Sequence, residues 1–364
     1  MKVKEIIRQI EQLSPLAYAE SFDNVGLLVG NPEMSVTGIL LTLDTLESVV
    51  DEAIEKQCNF IVSFHPIIFN GLKSLTGKNY VERVVIKALR YDIAIYSMHT
   101  ALDNSYFGVN ATICDALQIK NRSILIPQKH PIRKLITYVP QQAADTLRQA
   151  LFDAGAGNIG NYANCSFNLE GIGTFKGNEN SNPTIGEPLM LQNQPEIQIS
   201  VIFPKHLQKQ ILKTLFEVHP YEEVAYEIHV LENDHQFIGL GMIGELEKPM
   251  TETDFLQFLK EKLPTQCIRH SDFTRKMIHK VAVLGGSGAF AIDVAKAAQA
   301  DAFVSADFKY HDFFRAENQL LLADVGHFES EQFIKILLFE YLTKKIPNFA
   351  VIISQIDTNP IKYY

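Results

Sequence analysis

Short unbroken apolar runs alternate along this chain with stretches whose apolar residues recur at helical spacing. Positions 38–44 predict a buried strand, 46–57 a helix with Val49, Val50, Ala53 and Ile54 on one face, and 60–63 the next strand. A further strand is expected at 93–96. The second half repeats the scheme with a strand at 281–284, a Gly285-Gly286-Ser287-Gly288 turn, a helix over 289–299, a strand at 302–305, an apolar run over 320–326 and a helix over 329–342. Crossovers of this kind build a largely parallel sheet covered by helices, with ligand chemistry at the carboxyl ends of the strands. The halves also align with one another. A shift of 242 positions lays Asn59-Phe60-Ile61-Val62-Ser63 over Asp301-Ala302-Phe303-Val304-Ser305 and brings Asp51 to Asp293 and Ala53 to Ala295, so they read as copies of one α/β unit.

The stretch between them has its own pattern, also doubled. A strand at 135–139, Pro140 and a helix over 143–154 are matched by a strand at 199–203, Pro204 and a helix over 207–218, each helix followed by a strand candidate. In the second, over 224–230, Val224, Tyr226, Ile228 and Val230 share one face. Two such passes describe a ferredoxin-like sandwich, placed at 131–234. The amide- and proline-rich stretch 178–198 is expected to be a long loop inside it. The fold expected is therefore α/β: core lobes at 1–130 and 235–364, with an inserted α+β domain.

The candidate chemistry lies where the α/β units close. Each half carries a histidine followed four residues later by an acid, His99 with Asp103 and His327 with Glu331. His65 follows the strand at 60–63 and precedes Pro66, which ends regular structure and holds the imidazole at the sheet edge. Residues four apart share a helix face, so His327 and Glu331 reach one ion together. Imidazole nitrogen plus carboxylate oxygen suits Zn²⁺, Mn²⁺, Fe²⁺ or Co²⁺. Plainer accounts exist: a single histidine after a strand is more often a hydrogen-bonded core or surface residue, and His327 with Glu331 is also a helix-start pair. Two such elements at matching ends of repeated units favour the metal, because the plainer account must be invoked twice. The glycine turn at 285–288 is either a phosphate cradle or a tight turn that needs glycine; it lacks the spacing of a dinucleotide fingerprint and the lysine of a P-loop.

Composition narrows the class. The 364 residues, 46% apolar and 21% charged, suffice for two or three domains with a sizeable core. A net charge of −9 disfavours nucleic acid as a partner, since such binding draws on clustered lysine and arginine. Cys58, Cys114, Cys165 and Cys267 lie too far apart in sequence to suggest a disulfide framework or a thiolate zinc site, and a reducing cytoplasm fits them. The first ten residues alternate charged and apolar positions, unlike a signal peptide or membrane anchor.

The run Ser21-Phe22-Asp23-Asn24-Val25-Gly26-Leu27, with His65-Pro66, His99-Thr100-Ala101-Leu102-Asp103, the glycine turn and Gly326-His327-Phe328-Glu329-Ser330-Glu331, resembles the GTP cyclohydrolase 1 type 2 homologue (Nif-three) family. The resemblance spans nearly the whole chain. The middle section, with His219-Pro220-Tyr221-Glu222-Glu223-Val224-Ala225-Tyr226, looks like the PII/CutA-like insert of longer bacterial members. The resemblance implies a two-lobed α/β core, a dinuclear divalent metal site and a toroidal homohexamer in the cytoplasm. It makes His65, Asp103 and Glu331 ligands of a first metal and His327 with Glu331 part of a second. The family commonly shows His-His-Pro where this chain has Phe64-His65-Pro66. Phe64 cannot coordinate, so one well-formed site and a weakened second are expected. His99 and His311 are candidates for proton transfer beside the metal. The implied activity is metal-dependent hydrolysis of a nucleotide or phosphate-bearing small molecule; the competing class is a non-catalytic metal-binding or regulatory ring.

Overall fold

Strands Ile39–Thr42, Phe60–Ser63 and Ala94–Ser97 are buried along their whole length, as continuous apolar runs must be when both faces of a parallel sheet are covered. In the computed structural model, which describes residues 1–364, they lie side by side and parallel. Val351–Ile353 extends the sheet in parallel beside Ile39–Thr42, and Gly26–Val29 closes the other edge antiparallel. Alternation along each strand divides the side chains between two cores. Leu40, Ile61 and Ile95 pack with Val49, Val50 and Ala53 of helix Glu47–Glu55 and with Val84, Val85 and Ala88 of helix Tyr80–Arg90. Leu41, Val62 and Tyr96 face the opposite way.

A second sheet has the same centre, with Ile278–Ser287, Ala302–Ala306 and Leu321–Asp324 parallel to one another. Gly239–Met250 and Lys120–Pro127 extend one side antiparallel, and Arg269–His270 caps the other. Val283, Val304 and Ala323 join the core that holds Val62 and Tyr96, so the two sheets share one interior. It is filled by Ile6 and Ile10, Val109 and Ile113, Phe255 and Leu259, and Leu338 and Leu342, from helices Val3–Leu13, Val109–Ala116, Glu252–Lys262 and Ile334–Lys345. Burying each large side chain contributes about 1.5–3 kcal/mol. Each sheet also takes an edge strand from the other end of the sequence, Val351–Ile353 in the first and Lys120–Pro127 in the second.

These segments, Met1–Pro127 and Phe237–Tyr364, form one compact unit, and Gln128–Gln236 forms another. In the second unit, Ile132–Pro140, helix Ala144–Asp153, Phe167–Lys176, Leu191–Pro204, helix Gln208–Val218 and Tyr226–Val230 follow in order. The strands make an antiparallel sheet with Leu191–Pro204 and Ile132–Pro140 at its centre. Leu135, Val139, Ile199 and Val201 pack with Leu147, Leu151, Ile211 and Leu215 of the helices.

Three local expectations are corrected. The polar stretch at 178–198 is not all loop, because Leu191–Pro204 is a strand that pairs with Phe167–Lys176 over ten successive residues. Main-chain pairing, which exposed and half-exposed polar side chains do not oppose, decides there. The glycine segment belongs largely to strand Ile278–Ser287. The helix expected over 329–342 is two, His327–Glu331 and Ile334–Lys345. No helix is long and apolar enough to cross a membrane.

Candidate metal centre

Thr42, Ser63 and Ser97 are register neighbours at the carboxyl ends of three parallel strands. Two residues beyond each come Asp44, His65 and His99, so one sheet edge receives a carboxylate and two imidazoles. On the second sheet Ser305 is level with Asp324, and Asp307 and His327 follow. Buried hydroxyls fix the turns: the single Ser63 Oγ–H is shared between the carbonyls of Leu43 and His65 at 3.0 and 2.9 Å, and Ser97 Oγ donates to that of Phe64 at 2.6 Å.

Each of the three histidines has its Nδ1 held by an aspartate. The distances are 2.9 Å for His65 to Asp44, 2.9 Å for His99 to Asp23 and 2.7 Å for His327 to Asp307. A carboxylate accepting from the Nδ1–H of a neutral imidazole fixes the tautomer that leaves Nε2 with a lone pair for a ligand. The Nε2 atoms of His65 and His327, 262 residues apart in sequence, lie 3.4 Å from each other. Glu331 Oε2 is 3.2 Å from the first and 3.3 Å from the second. His65, His327 and Glu331 thus form a group able to hold a metal ion.

The electrostatics are those of a site short of positive charge. Glu331 Oε2 and Asp103 Oδ1 are buried, and neither has a donor aligned on it as a hydrogen bond requires. Burial, followed by the charge of Glu331, drives the Asp103 carboxyl well above its usual range. For Glu331, burial pushes upward, but the close approach and charge of His327 and His65, whose Nε2 atoms lie 3.3 and 3.2 Å from Oε2, outweigh it and hold the group at about 2. Burial also opposes charge on the imidazoles. The Asp44 and Glu331 carboxylates nevertheless raise His65 to about 9, and Asp307 with Glu331 raises His327 to about 11. Without an ion, the histidines retain protons to balance the acids; a divalent cation does the same work and displaces them. The donor set and the two orphaned oxygens therefore fit a metal.

The glycine segment serves this group in a way its spacing did not suggest. Gly286 has φ +67°, and a Cβ on it would stand 2.4 Å from Glu331 Oε1 and 3.2 Å from His327 Nε2. The backbone passes so close to both side chains that only glycine fits. The phosphate-cradle alternative loses its donors, since the Gly285 N–H donates to Asn110 Oδ1, that of Gly286 to Ser330 Oγ and that of Gly288 to the Ala306 carbonyl.

Of the residues expected from sequence, His65, His327 and Glu331 come together, with Asp103 beside them inside the same field of charges. The His99 ring lies 5.3 Å from that of His65, centroid to centroid. His311 is exposed, and its ring packs on Tyr310 and Phe314. Phe64 is fully buried, 4.9 Å from the His65 ring and edge-on to His99 at 5.6 Å. Asp44 and Asp307 were not singled out from the sequence; the signal was their position as polar residues just past a parallel strand. Asp23, within the run that carries the resemblance, binds His99 and accepts from the Thr100 N–H and hydroxyl at 3.0 and 2.5 Å. These contacts outweigh its burial and hold its carboxyl at about 2.

The model of the family described as Duf34/NIF3 (NGG1p interacting factor 3) matches residues 1–360. A Bacillus subtilis relative called "GTP cyclohydrolase 1 type 2 homolog" is 38% identical, over 99% of this chain and 98% of its own length. Among solved structures, a Bacillus cereus protein related to NIF3 is 36% identical with a TM-score of 0.86, over 100% of this chain and 99% of that one. A Staphylococcus aureus protein is 30% identical with a TM-score of 0.79 over the same shares. A match of this extent in both sequence and fold makes the chain a member of the Duf34/NIF3 family.

Proposed function

We propose that this protein is a metal-dependent hydrolase in which His65, Asp103, His327 and Glu331 hold a divalent ion, Zn²⁺, Mn²⁺, Fe²⁺ or Co²⁺, and that its substrate is a nucleotide or another phosphate-bearing small molecule. One observation carries the reading: two buried carboxylate oxygens without hydrogen-bond donors stand beside imidazoles whose Nδ1 atoms are already taken by aspartates. When bound, a divalent ion supplies Lewis acidity and makes water a stronger acid. The chain's own residues supply the rest. Asp44 and Asp307 fix the tautomer and orientation of the ligand imidazoles, and Asp23 holds the His99 ring so that its Nε2 takes or returns a proton beside them. Phe64 fills the position of a second histidine in the resembling family's motif, so one ion is held firmly and a second weakly.

The same reading includes a duplicated core at 1–130 and 235–364, a ferredoxin-like insert at 131–234, and a toroidal homohexamer in the cytoplasm. The strand–helix–strand–strand–helix–strand order within Gln128–Gln236 supports the insert, and the parallel centres of the two sheets support the duplication. Phe64 favours a second reading, in which the site binds a ligand or stiffens a ring without turnover, because it removes a donor.

The test combines elemental analysis of protein purified without chelator or affinity metal with turnover assays on nucleotides and phosphoesters. Metal-dependent turnover lost in Asp103→Ala and Glu331→Ala, with circular dichroism unchanged, supports the hydrolase. Retained metal without turnover supports the binder. Absence of metal from the native protein, with none taken up on titration, ends both.

A further inference from the structure

The unit Gln128–Gln236 contains a cavity of about 750 Å³ that shares no residue with the histidine site. Its making is visible in the sequence. Strand Phe167–Lys176 carries Gly171 and Gly173 opposite strand Leu191–Pro204, where side chains would otherwise fill the space. At Gly173 a Cβ would stand 2.1 Å from a carboxylate oxygen of Glu196, so the glycine leaves room for that acid to lie over the strand. Two loops bound the space and are tied together: the Asn182 N–H donates to Glu222 Oε1 at 2.8 Å, and the Thr184 hydroxyl donates to the Pro220 carbonyl at 2.6 Å.

The lining has a definite chemistry. Glu196, only 9% exposed, accepts a hydrogen bond from the Tyr221 hydroxyl at 2.7 Å. The Tyr221 ring lies 5.9 Å from that of Phe175, and Tyr138 completes an aromatic set. Glu170, Glu222 and Glu223 also line the cavity, against Lys176 as its single cation. Four carboxylates to one ammonium give a negative potential, and aromatic faces add attraction for a cation. Leu169, 48% exposed, lies on the same face of its strand as Gly171, Gly173 and Phe175 and supplies apolar surface beside them.

We propose that this cavity binds a small organic cation with an apolar body, its ammonium or guanidinium directed to Glu196 among the aromatic rings and its body lying against Leu169. The occupant is a small molecule because a volume of this size suits one. It is cationic because each additional carboxylate makes an anion less welcome. The site stands independently of the proposed metal chemistry, and its ligand is an effector or substrate recognised through positive charge.

The probe is 2-phenylethylammonium, titrated into the full chain by NMR, with the neutral 2-phenylethanol and the anionic 3-phenylpropionate as matched controls. Saturable binding of the cation with shifts confined to the cavity, and no binding of the anion, is the expected result. Glu196→Gln keeps an acceptor for the Tyr221 hydroxyl and so keeps the fold, yet it should weaken the cation about tenfold or more, the cost of a lost charged partner. Leu169→Lys, a change at an exposed position, places a competing ammonium on the Glu196 face of the strand and should weaken it as well. Equal binding of all three probes, or unchanged affinity in Glu196→Gln, overturns the proposal. So does failure of every probe to bind while Leu169→Lys dissociates an oligomer in sedimentation, which would assign the cavity to a second copy of the chain.

Discussion

Replacing Gly286 by alanine tests whether the glycine segment exists to let Glu331 and His327 meet. The added Cβ would begin 2.4 Å from Glu331 Oε1, a separation that real side chains do not show. Restoring ordinary van der Waals contact moves the carboxylate by about 1 Å. The φ of +67° adds a separate cost, about 1–3 kcal/mol for a residue with a Cβ in the left-handed region. Two effects are therefore expected together. The metal-free protein loses about 1–3 kcal/mol of stability in urea titration. Divalent-ion affinity falls by about a hundredfold, since a ligand oxygen has been displaced, and that factor removes about 2.7 kcal/mol of metal-dependent stabilisation at a fixed ion concentration. Co²⁺ titration followed by visible absorption reads the affinity. Gly71→Ala is the control, because a Cβ there meets nothing within 4 Å and affinity should not change. If Gly286→Ala binds Co²⁺ like the parent protein, the close approach has no bearing on the site and Glu331 is not a ligand.

Asp44→Asn and Asp307→Asn should each weaken divalent-ion binding by about 10–100-fold while leaving all four proposed ligands in place, measured by competition with a chromophoric chelator. The pH dependence has a definite sign. His65 and His327 are raised to about 9 and about 11, so between their unfolded value of 6.5 and those values the metal-free folded state holds more protons than the unfolded one. Their stabilisation is complete below pH 6.5 and is lost as pH rises through 9 and then 11, a decline that urea titration from pH 6 to pH 10 should show. A metal displaces those protons, so Co²⁺ affinity should instead increase over the same range. Phe64→His should raise metal content from about one to about two ions per chain by elemental analysis, at some cost in stability because it places a polar ring where Phe64 is fully buried.

What the sequence made legible were the features that carry their own local signal. Phe60–Ser63 reads as a strand because an apolar run of that length, buried on both faces, has no other comfortable home. His327 and Glu331 read as a pair because helical spacing alone puts them on one face, and the structure keeps them there, on the short helix His327–Glu331. Leu191–Pro204 was hidden for the opposite reason. Gln192, Asn193, Gln194 and Pro195 have poor strand propensity, and only the ladder to Phe167–Lys176 makes them extended. Asp44 and Asp307 were hidden because a carboxylate after a strand is unremarkable until the register of the sheet shows which imidazole it meets. His311 was attractive by type and by nearness in sequence to the second sheet, but it extends from the 3₁₀ segment Tyr310–Ala316 and is exposed.

If the halves are duplicates, the shift of 242 that carries Ser63 to Ser305 also carries His65 to Asp307 and Asp44 to Gly286. The same sheet-edge positions then hold a ligand and its clamp in one half, and a clamp and a clearance in the other. The two halves are then complementary, not redundant. His65 and Asp103 come from the first, and His327, Glu331 and the glycine that admits them come from the second. Neither segment alone contains the group that brings two Nε2 atoms within 3.4 Å. On the proposed function, metal binding is linked to assembly of the shared core, because an ion that binds only the folded arrangement stabilises it by mass action. A chain cut in the insert and recombined as two fragments provides the test. Divalent ion should promote reassembly in the parent pair and have no effect when the fragment carrying Glu331 bears Glu331→Ala; equal reassembly with and without metal would show that the core closes independently of the site.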